Sequence, residues 1–151
     1  MHKFLDYAWF EGKCIPFKEA KISIATHALH YGTAAFGGMR AIPNPNNFNE
    51  FLLFRTDKHI KRLNQSAKFL LTDIKEDFIF NALKEIIIKN KPNKPIYIRP
   101  FVYTSDLGIA PRLHNIETNF FIYAIELGDY LSPDGVSCRM SSWTRQEDRS
   151  L

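Results

Sequence analysis

Asp57-Lys58-His59-Ile60-Lys61-Arg62-Leu63-Asn64-Gln65-Ser66-Ala67-Lys68-Phe69-Leu70-Leu71 carries Ile60, Leu63, Ala67, Leu70 and Leu71 at helical spacing. Apolar residues three and four apart line one face of an α-helix, so residues 57–71 read as an amphipathic helix. Asp73-Ile74-Lys75-Glu76 follows and has the form of a capping box. Phe78, Ala82, Leu83, Ile86 and Ile87 then share one face of a second helix, and Pro92 lies just past its end.

On both sides of this helical pair the chain is β-rich. Tyr7-Ala8-Trp9-Phe10, the turn Glu11-Gly12-Lys13 and Cys14–Phe17 read as a hairpin. Residues 35–42 are apolar but interrupted by Gly37-Gly38, the mark of a bulge or of a close backbone approach. Pro43-Asn44-Pro45-Asn46-Asn47 is a loop by composition, and Phe51–Phe54 a further strand. Three more β-rich stretches cover 95–104, 118–127 and 136–142. Strands, then two helices, then strands imply an α+β domain: one mainly antiparallel sheet with two helices packed on it. No repeat or linker divides the chain, so 1–151 reads as one domain.

Composition narrows the function classes. The chain has 151 residues, 45% hydrophobic and 24% charged, which is ordinary for a globular protein and unlike disorder. Cys14 and Cys138 form no CxxC or metal-ligand spacing, which favours a reduced, cytoplasmic setting. Residues 1–20 lack the apolar core of a signal peptide, and no apolar run is long enough for a membrane span. The net charge of +4 is spread along the chain with acids interleaved, and no nucleic-acid-binding pattern accompanies it. Solvated faces, or attraction of anionic small molecules, are the more economical account of that charge. There is no P-loop, no GxGxxG and no nucleophile elbow.

Several positions carry a functional and a plain reading side by side. His27 and His30 are one helical turn apart, but no third ligand of the kind zinc needs lies near them; backbone- or solvent-bonded histidines are the simpler account, and no metal is expected. Phe36-Gly37-Gly38-Met39-Arg40 is either core packing with a sheet bulge or a backbone lying close to a ligand, with Phe36 as one wall. Arg62 lies about 130° from the apolar stripe at ~100° per residue, which by itself describes a solvated helix face. In Tyr97-Ile98-Arg99-Pro100, Tyr97 and Arg99 fall on the same side of a strand. Arg99 there is either paired or solvated at an edge, or a receptor for a carboxylate. Pro100 cannot donate to a ladder, which fits a strand end or edge.

The run His27-Ala28-Leu29-His30-Tyr31-Gly32-Thr33-Ala34-Ala35-Phe36-Gly37-Gly38-Met39-Arg40 resembles the amino-terminal signature of the branched-chain aminotransferases, pyridoxal-phosphate enzymes of fold type IV. Phe54–Leu63 and 97–108 are similar to two further blocks of that family, and the likeness extends from Tyr7 to Ser141-Ser142-Trp143. The resemblance implies the small amino-terminal domain of a class IV aminotransferase. It implies amino transfer from leucine, isoleucine or valine to 2-oxoglutarate, with pyridoxal 5'-phosphate as cofactor. By the same resemblance Arg62 binds the cofactor phosphate. Tyr97 and Arg99 hold the substrate carboxylate, and Tyr31, Phe36, Gly38 and Tyr130 border the substrate pocket.

The family further implies a cytoplasmic homodimer or larger homo-oligomer, with no nucleic-acid or membrane partner. Asp106-Leu107-Gly108-Ile109 resembles the loop that reaches the neighbouring subunit's site. The cofactor-bearing lysine of the family follows the Ser-Ser-Trp segment, and none of residues 144–151 is lysine. The chain is therefore expected to be the substrate-recognising half, without the lysine-bearing second domain and inactive alone. Two departures stand out: Gly37, where bacterial members often have Glu, and Leu127, where an aromatic residue is usual. Within the class, D-amino acid aminotransferase and aminodeoxychorismate lyase are alternatives, which the 97–100 and 27–40 blocks disfavour. From another class, a non-catalytic dimerisation or small-anion-binding module is the alternative.

Overall fold

The computed structural model describes residues 3–128 and 132–144. Strands β1 (Tyr7–Phe10) and β2 (Lys13–Pro16) form the expected hairpin, with Phe10 opposite Lys13. Glu11 and Gly12 both have positive φ (48° and 89°), the requirement of a two-residue turn whose twist matches the strands. A short helix α1 (His27–Tyr31) ends on Gly32, whose left-handed φ of 66° lets its N–H reach Ala28 O.

Strands β3 (Ala34–Phe36) and β4 (Met39–Asn44) follow, then β5 (Asn47–Leu53). β4 and β5 run through most of the segment expected as a loop, leaving only Pro45 and Asn46 between them. Helix α2 (Thr56–Ala67) continues into a single 3-10 turn over Lys68–Leu70, close to the expected 57–71. Helix α3 (Glu76–Asn90) is preceded by Lys75 as N-cap, with no side-chain cap bond, so Asp73 does not close a capping box. Glu76 and Asp77 in the first turn oppose the helix dipole instead. Strands β6 (Ile96–Thr104) and β7 (Thr118–Glu126) complete the sheet.

The sheet order is β2-β1-β7-β6-β4-β5, with β3 also paired to β6 and every pairing antiparallel. β3 and β4 act as one interrupted strand. Phe36 faces Phe101 and Met39 faces Ile98, so the register on both sides of Gly37-Gly38 is the same and no residue is inserted. The glycine pair is therefore not a bulge. Gly37 N–H donates to Pro100 O at 3.0 Å, and Pro100 has no N–H to return. Pro100 lies in the middle of a central strand, buried, and not at an edge as its chemistry alone implies. The ladder thins where its donor is missing.

Helices α2 and α3 cover one face of the sheet. Ile60, Leu63 and Ala67 of α2 and Ile79, Ala82, Leu83 and Ile86 of α3 meet Trp9, Met39, Ala41, Ile96, Ile98, Val102, Ile122 and Ala124. Each large apolar side chain buried this way stabilises by about 1.5–3 kcal/mol. Phe78 stays partly exposed, packs edge-on to Trp9, and leaves the interior place to Ile79. Trp9 Nε1 donates to Glu85 Oε2 at 3.0 Å, which ties β1 to α3. The stretch 136–142 forms no strand. Val136 and Met140 are exposed there with no strand beside them among the described residues, and β-propensity is expressed only on such a partner.

His30 is backbone-bonded as the simpler account holds, and His27 only in part, since two threonine hydroxyls meet its Nδ1. His27 is buried, its Nδ1 2.9 Å from both Thr33 Oγ1 and Thr104 Oγ1 and its Nε2 2.9 Å from Ala110 O. His30 Nε2 bonds Ile24 O at 2.8 Å. Among the described residues no group of His, Cys, Asp and Glu could hold a metal, and no helix is long and apolar enough to cross a membrane.

Candidate functional site

Alternation along β6 sends Ile96, Ile98, Pro100 and Val102 into the helix-covered core and leaves Tyr97, Arg99 and Phe101 half-buried on the opposite face. Arg99 Nε and Nη2 donate to Tyr97 Oη at 3.3 and 3.2 Å. The guanidinium carbon lies 4.7 Å over the Phe36 ring, and Phe36 in turn stacks on Phe101 at 6.1 Å and 5°. The ion pairs of the described residues are Lys3–Glu126, Lys94–Glu126 and Arg55–Asp57, so Arg99 has no carboxylate partner among them. Burial works to lower the Arg99 pKa, but the hydrogen bond to Tyr97 and the Tyr123 and Tyr97 phenols outweigh it and hold it above its ordinary value. The guanidinium is thus permanently charged, oriented by a phenol and a ring face, and unneutralised.

Gly38 makes that orientation possible. A Cβ at Gly38 would fall 2.4 Å from Tyr97 Oη and 2.8 and 2.9 Å from Tyr97 Cε2 and Cζ. Only a glycine lets the Tyr97 ring lie against this backbone. At Gly37 an added Cβ would meet Pro100 Cγ at 3.4 Å and Leu63 Cβ at 4.0 Å, which is tolerable contact.

Tyr97, Arg99 and Gly38 line an open cavity of about 1080 Å³. Its other polar members are Arg40, His59 and Tyr123; the remainder is apolar, and no Asp or Glu among the described residues lines it. Two guanidiniums in a largely apolar, acid-free cavity attract an anion.

The other sequence-derived candidates lie elsewhere. Tyr31 closes α1, half-buried with its ring 4.6 Å from His27, and does not line the cavity. Phe36 is 54% exposed and touches the site through Arg99. Arg62 is exposed on α2 and outside the cavity lining. Tyr130 lies outside the described residues.

Three cavity residues escaped the reading of the sequence. Arg40 stands directly opposite Tyr97, and Tyr123 directly opposite Arg99, so both share that face by pairing. Pairing partners are not given by a single strand's alternation. His59 is four residues before the buried Leu63 and so flanks the apolar stripe of α2, a polar residue in a place that a helical wheel does flag. Every lysine of the sequence is exposed, and none lines the cavity.

The amino-transferase class IV family profile matches residues 35–151. A protein of Synechocystis named "Probable branched-chain-amino-acid aminotransferase" is 61% identical over 151 residues, which is 100% of this chain and 50% of that protein. Among solved structures, the branched-chain aminotransferase of Thermoproteus uzoniensis with norvaline matches with a TM-score of 0.88 at 29% identity, over 100% of this chain and 50% of that one. The branched-chain amino acid aminotransferase of Escherichia coli matches with a TM-score of 0.87 at 30% identity, over 97% of this chain and 49% of that one. The chain spans about half the length of the relatives it matches.

Proposed function

The chain belongs to the amino-transferase class IV family, and we propose that it is the substrate-recognising half of a pyridoxal-phosphate-dependent branched-chain aminotransferase. The substrates are branched-chain amino acids and 2-oxoglutarate, and the working unit is a cytoplasmic homodimer or larger homo-oligomer. One observation carries the reading. Arg99, held by Tyr97 over the Phe36 ring, is an unneutralised guanidinium in an acid-free cavity of largely apolar lining. A planar fork of N–H donors beside apolar walls suits a molecule with a carboxylate at one end and a hydrocarbon chain at the other.

The residues present fit the cofactor in their donor chemistry. Arg62 on α2 is a free cation among the described residues, available to a phosphate from a neighbouring element. Pyridoxal phosphate, when bound, supplies the electron sink for chemistry at the substrate's Cα. The contribution of this chain is binding and orientation: Tyr97 and Arg99 fix the carboxylate, Phe36 shields the guanidinium from water, and Gly38 keeps the backbone clear. On this reading the cofactor-bearing lysine that the family resemblance implies is none of the lysines of this chain, which are all exposed and outside the cavity lining.

Titration of the chain with 4-methylvalerate, followed by NMR chemical shifts, tests the reading. Charge-assisted hydrogen bonds are worth ~1.5–3 kcal/mol each, so Arg99→Gln is expected to weaken binding roughly tenfold or more. Equal affinity of the variant and the parent chain would overturn the carboxylate assignment.

Arg62 has its own test, in a polypeptide that joins this chain to the remaining half of its relatives' length. There Arg62→Ala is expected to weaken cofactor retention roughly tenfold or more, by loss of one charge-assisted bond. Arg55→Ala is the control, because Arg55 already pairs with Asp57 at 3.5 Å on the surface. Equal effects of the two substitutions return Arg62 to a solvated helix face.

A further inference from the structure

The cavity contains one polar group that the carboxylate reading does not use. His59 lines it from the first half of α2, between the buried Ile60 and the surface residue Lys58. Its backbone N–H donates to Arg55 O at 3.1 Å, and Ile60 and Leu63 are buried in the core beside it. The ring is therefore carried on a fixed element and not on a loop. His59 Nδ1 is sealed from solvent and has no hydrogen-bond partner among the described residues. A proton on that nitrogen would be a buried donor with nothing to receive it, the costly case. The tautomer that avoids this has its hydrogen on Nε2. Contact between the ring's polar edge and a molecule in the cavity then runs through Nε2, as a donor.

We infer that His59 is a further ligand-contacting residue of this site, donating its Nε2–H to an oxyanion oxygen held in the Tyr97–Arg99 cavity. The inference rests on the carboxylate reading above and adds a donor from a different element. The recipient is identified by chemistry. Arg40 and Arg99 make the cavity attractive to anions, and no Asp or Glu among the described residues lines it to accept the His59 hydrogen. An anion has oxygen lone pairs to spare after Arg99 and Tyr97 are satisfied. A carboxylate and a phosphate share that property, and separate titrations distinguish them.

The experiment has two parts on the 151-residue chain. Long-range proton–nitrogen NMR of the unmodified chain is expected to show His59 as the Nε2–H tautomer, with the Nε2 signal moving on saturation by 4-methylvalerate or by inorganic phosphate. The anion that moves it identifies the recipient. His59→Phe, which keeps a ring and removes the donor, is expected to weaken binding of that anion about fivefold to tenfold. An Nδ1–H tautomer, or a His59→Phe chain that binds both anions like the parent while Arg99→Gln binds neither, would overturn the role of His59 and leave the carboxylate reading standing. An Arg99→Gln chain that binds like the parent would overturn the carboxylate reading, whatever His59 does. The tautomer measurement needs no substitution, so a variant that fails to fold does not spare the inference.

Discussion

Gly38→Ala is expected to weaken carboxylate binding by roughly tenfold to a hundredfold, while Gly37→Ala, one residue away, leaves it nearly unchanged. The difference lies in what each new Cβ would touch. At residue 38 it arrives 2.4 Å from Tyr97 Oη, inside any allowed contact, so the Tyr97 ring must turn away. Both bonds from Arg99 then lose their acceptor. Two charge-assisted bonds at ~1.5–3 kcal/mol each set the upper end of the expected loss, because water recovers part of it. At residue 37 the nearest atom is Pro100 Cγ at 3.4 Å, a contact that small shifts accommodate. Titration of the two variants and of Tyr97→Phe with 4-methylvalerate decides the matter. Equal affinities for the two alanine variants would remove Gly38 from its role.

Incubation of the 151-residue chain with pyridoxal phosphate and reductive trapping with borohydride is expected to label several lysines weakly and none stoichiometrically. Turnover of leucine with 2-oxoglutarate is expected to equal that of the cofactor alone. The reason is structural. Every lysine of the chain is exposed, and none lines the cavity. An exposed lysine outside any cavity has nothing beside it to hold and orient the cofactor's aldehyde, so no single lysine is favoured over the others. Mass spectrometry of the trapped chain reads the outcome directly. One lysine labelled to completion, together with turnover, would show that this half alone assembles a catalytic site.

Much of the fold was legible because its signals are local. The spacing of Ile60, Leu63, Ala67, Leu70 and Leu71 predicts a buried helical stripe; the first four are buried, whereas Leu71 caps the 3-10 turn at φ 54° and its side chain is exposed. Glu11-Gly12-Lys13 announces a hairpin turn, and the turn is there one residue shorter, because Lys13 already pairs with Phe10. The failures have a common cause, which is that partners are not local. Val136–Ser142 has strand composition but no pairing partner among the described residues. Asp73 has the spacing of a cap, yet the helix begins after Lys75 without a side-chain bond. Pro100 suggests an edge, and only the pairing shows that its missing donor faces a glycine pair.

The site divides in the same way. Tyr97 and Arg99 share a face by simple alternation, and the resemblance to a family gave them a role. Arg40 and Tyr123 reach the same cavity through cross-strand pairing, which no single segment encodes. Tyr31 lies against His27 at the end of α1, away from the cavity, because α1 packs near the 105–110 loop and not near β4.

The missing donor of Pro100 is also expected to divide the sheet in time. β3 is tied to α1 and to the 105–110 loop through Thr33, Thr104 and His27, whereas β4 is tied to β5. Both strands are laddered to β6, and at the glycine pair between them the bond from Gly37 N–H to Pro100 O has no return bond from Pro100. Cooperative opening units are bounded where hydrogen bonds and packing are sparse. Deuterium entering the amides of this molecule would thus meet a boundary in the middle of a central pairing. The α1–β3 unit and the β4–β5 hairpin would exchange on separate clocks, and the cavity backbone at Gly38 sits on the line between them.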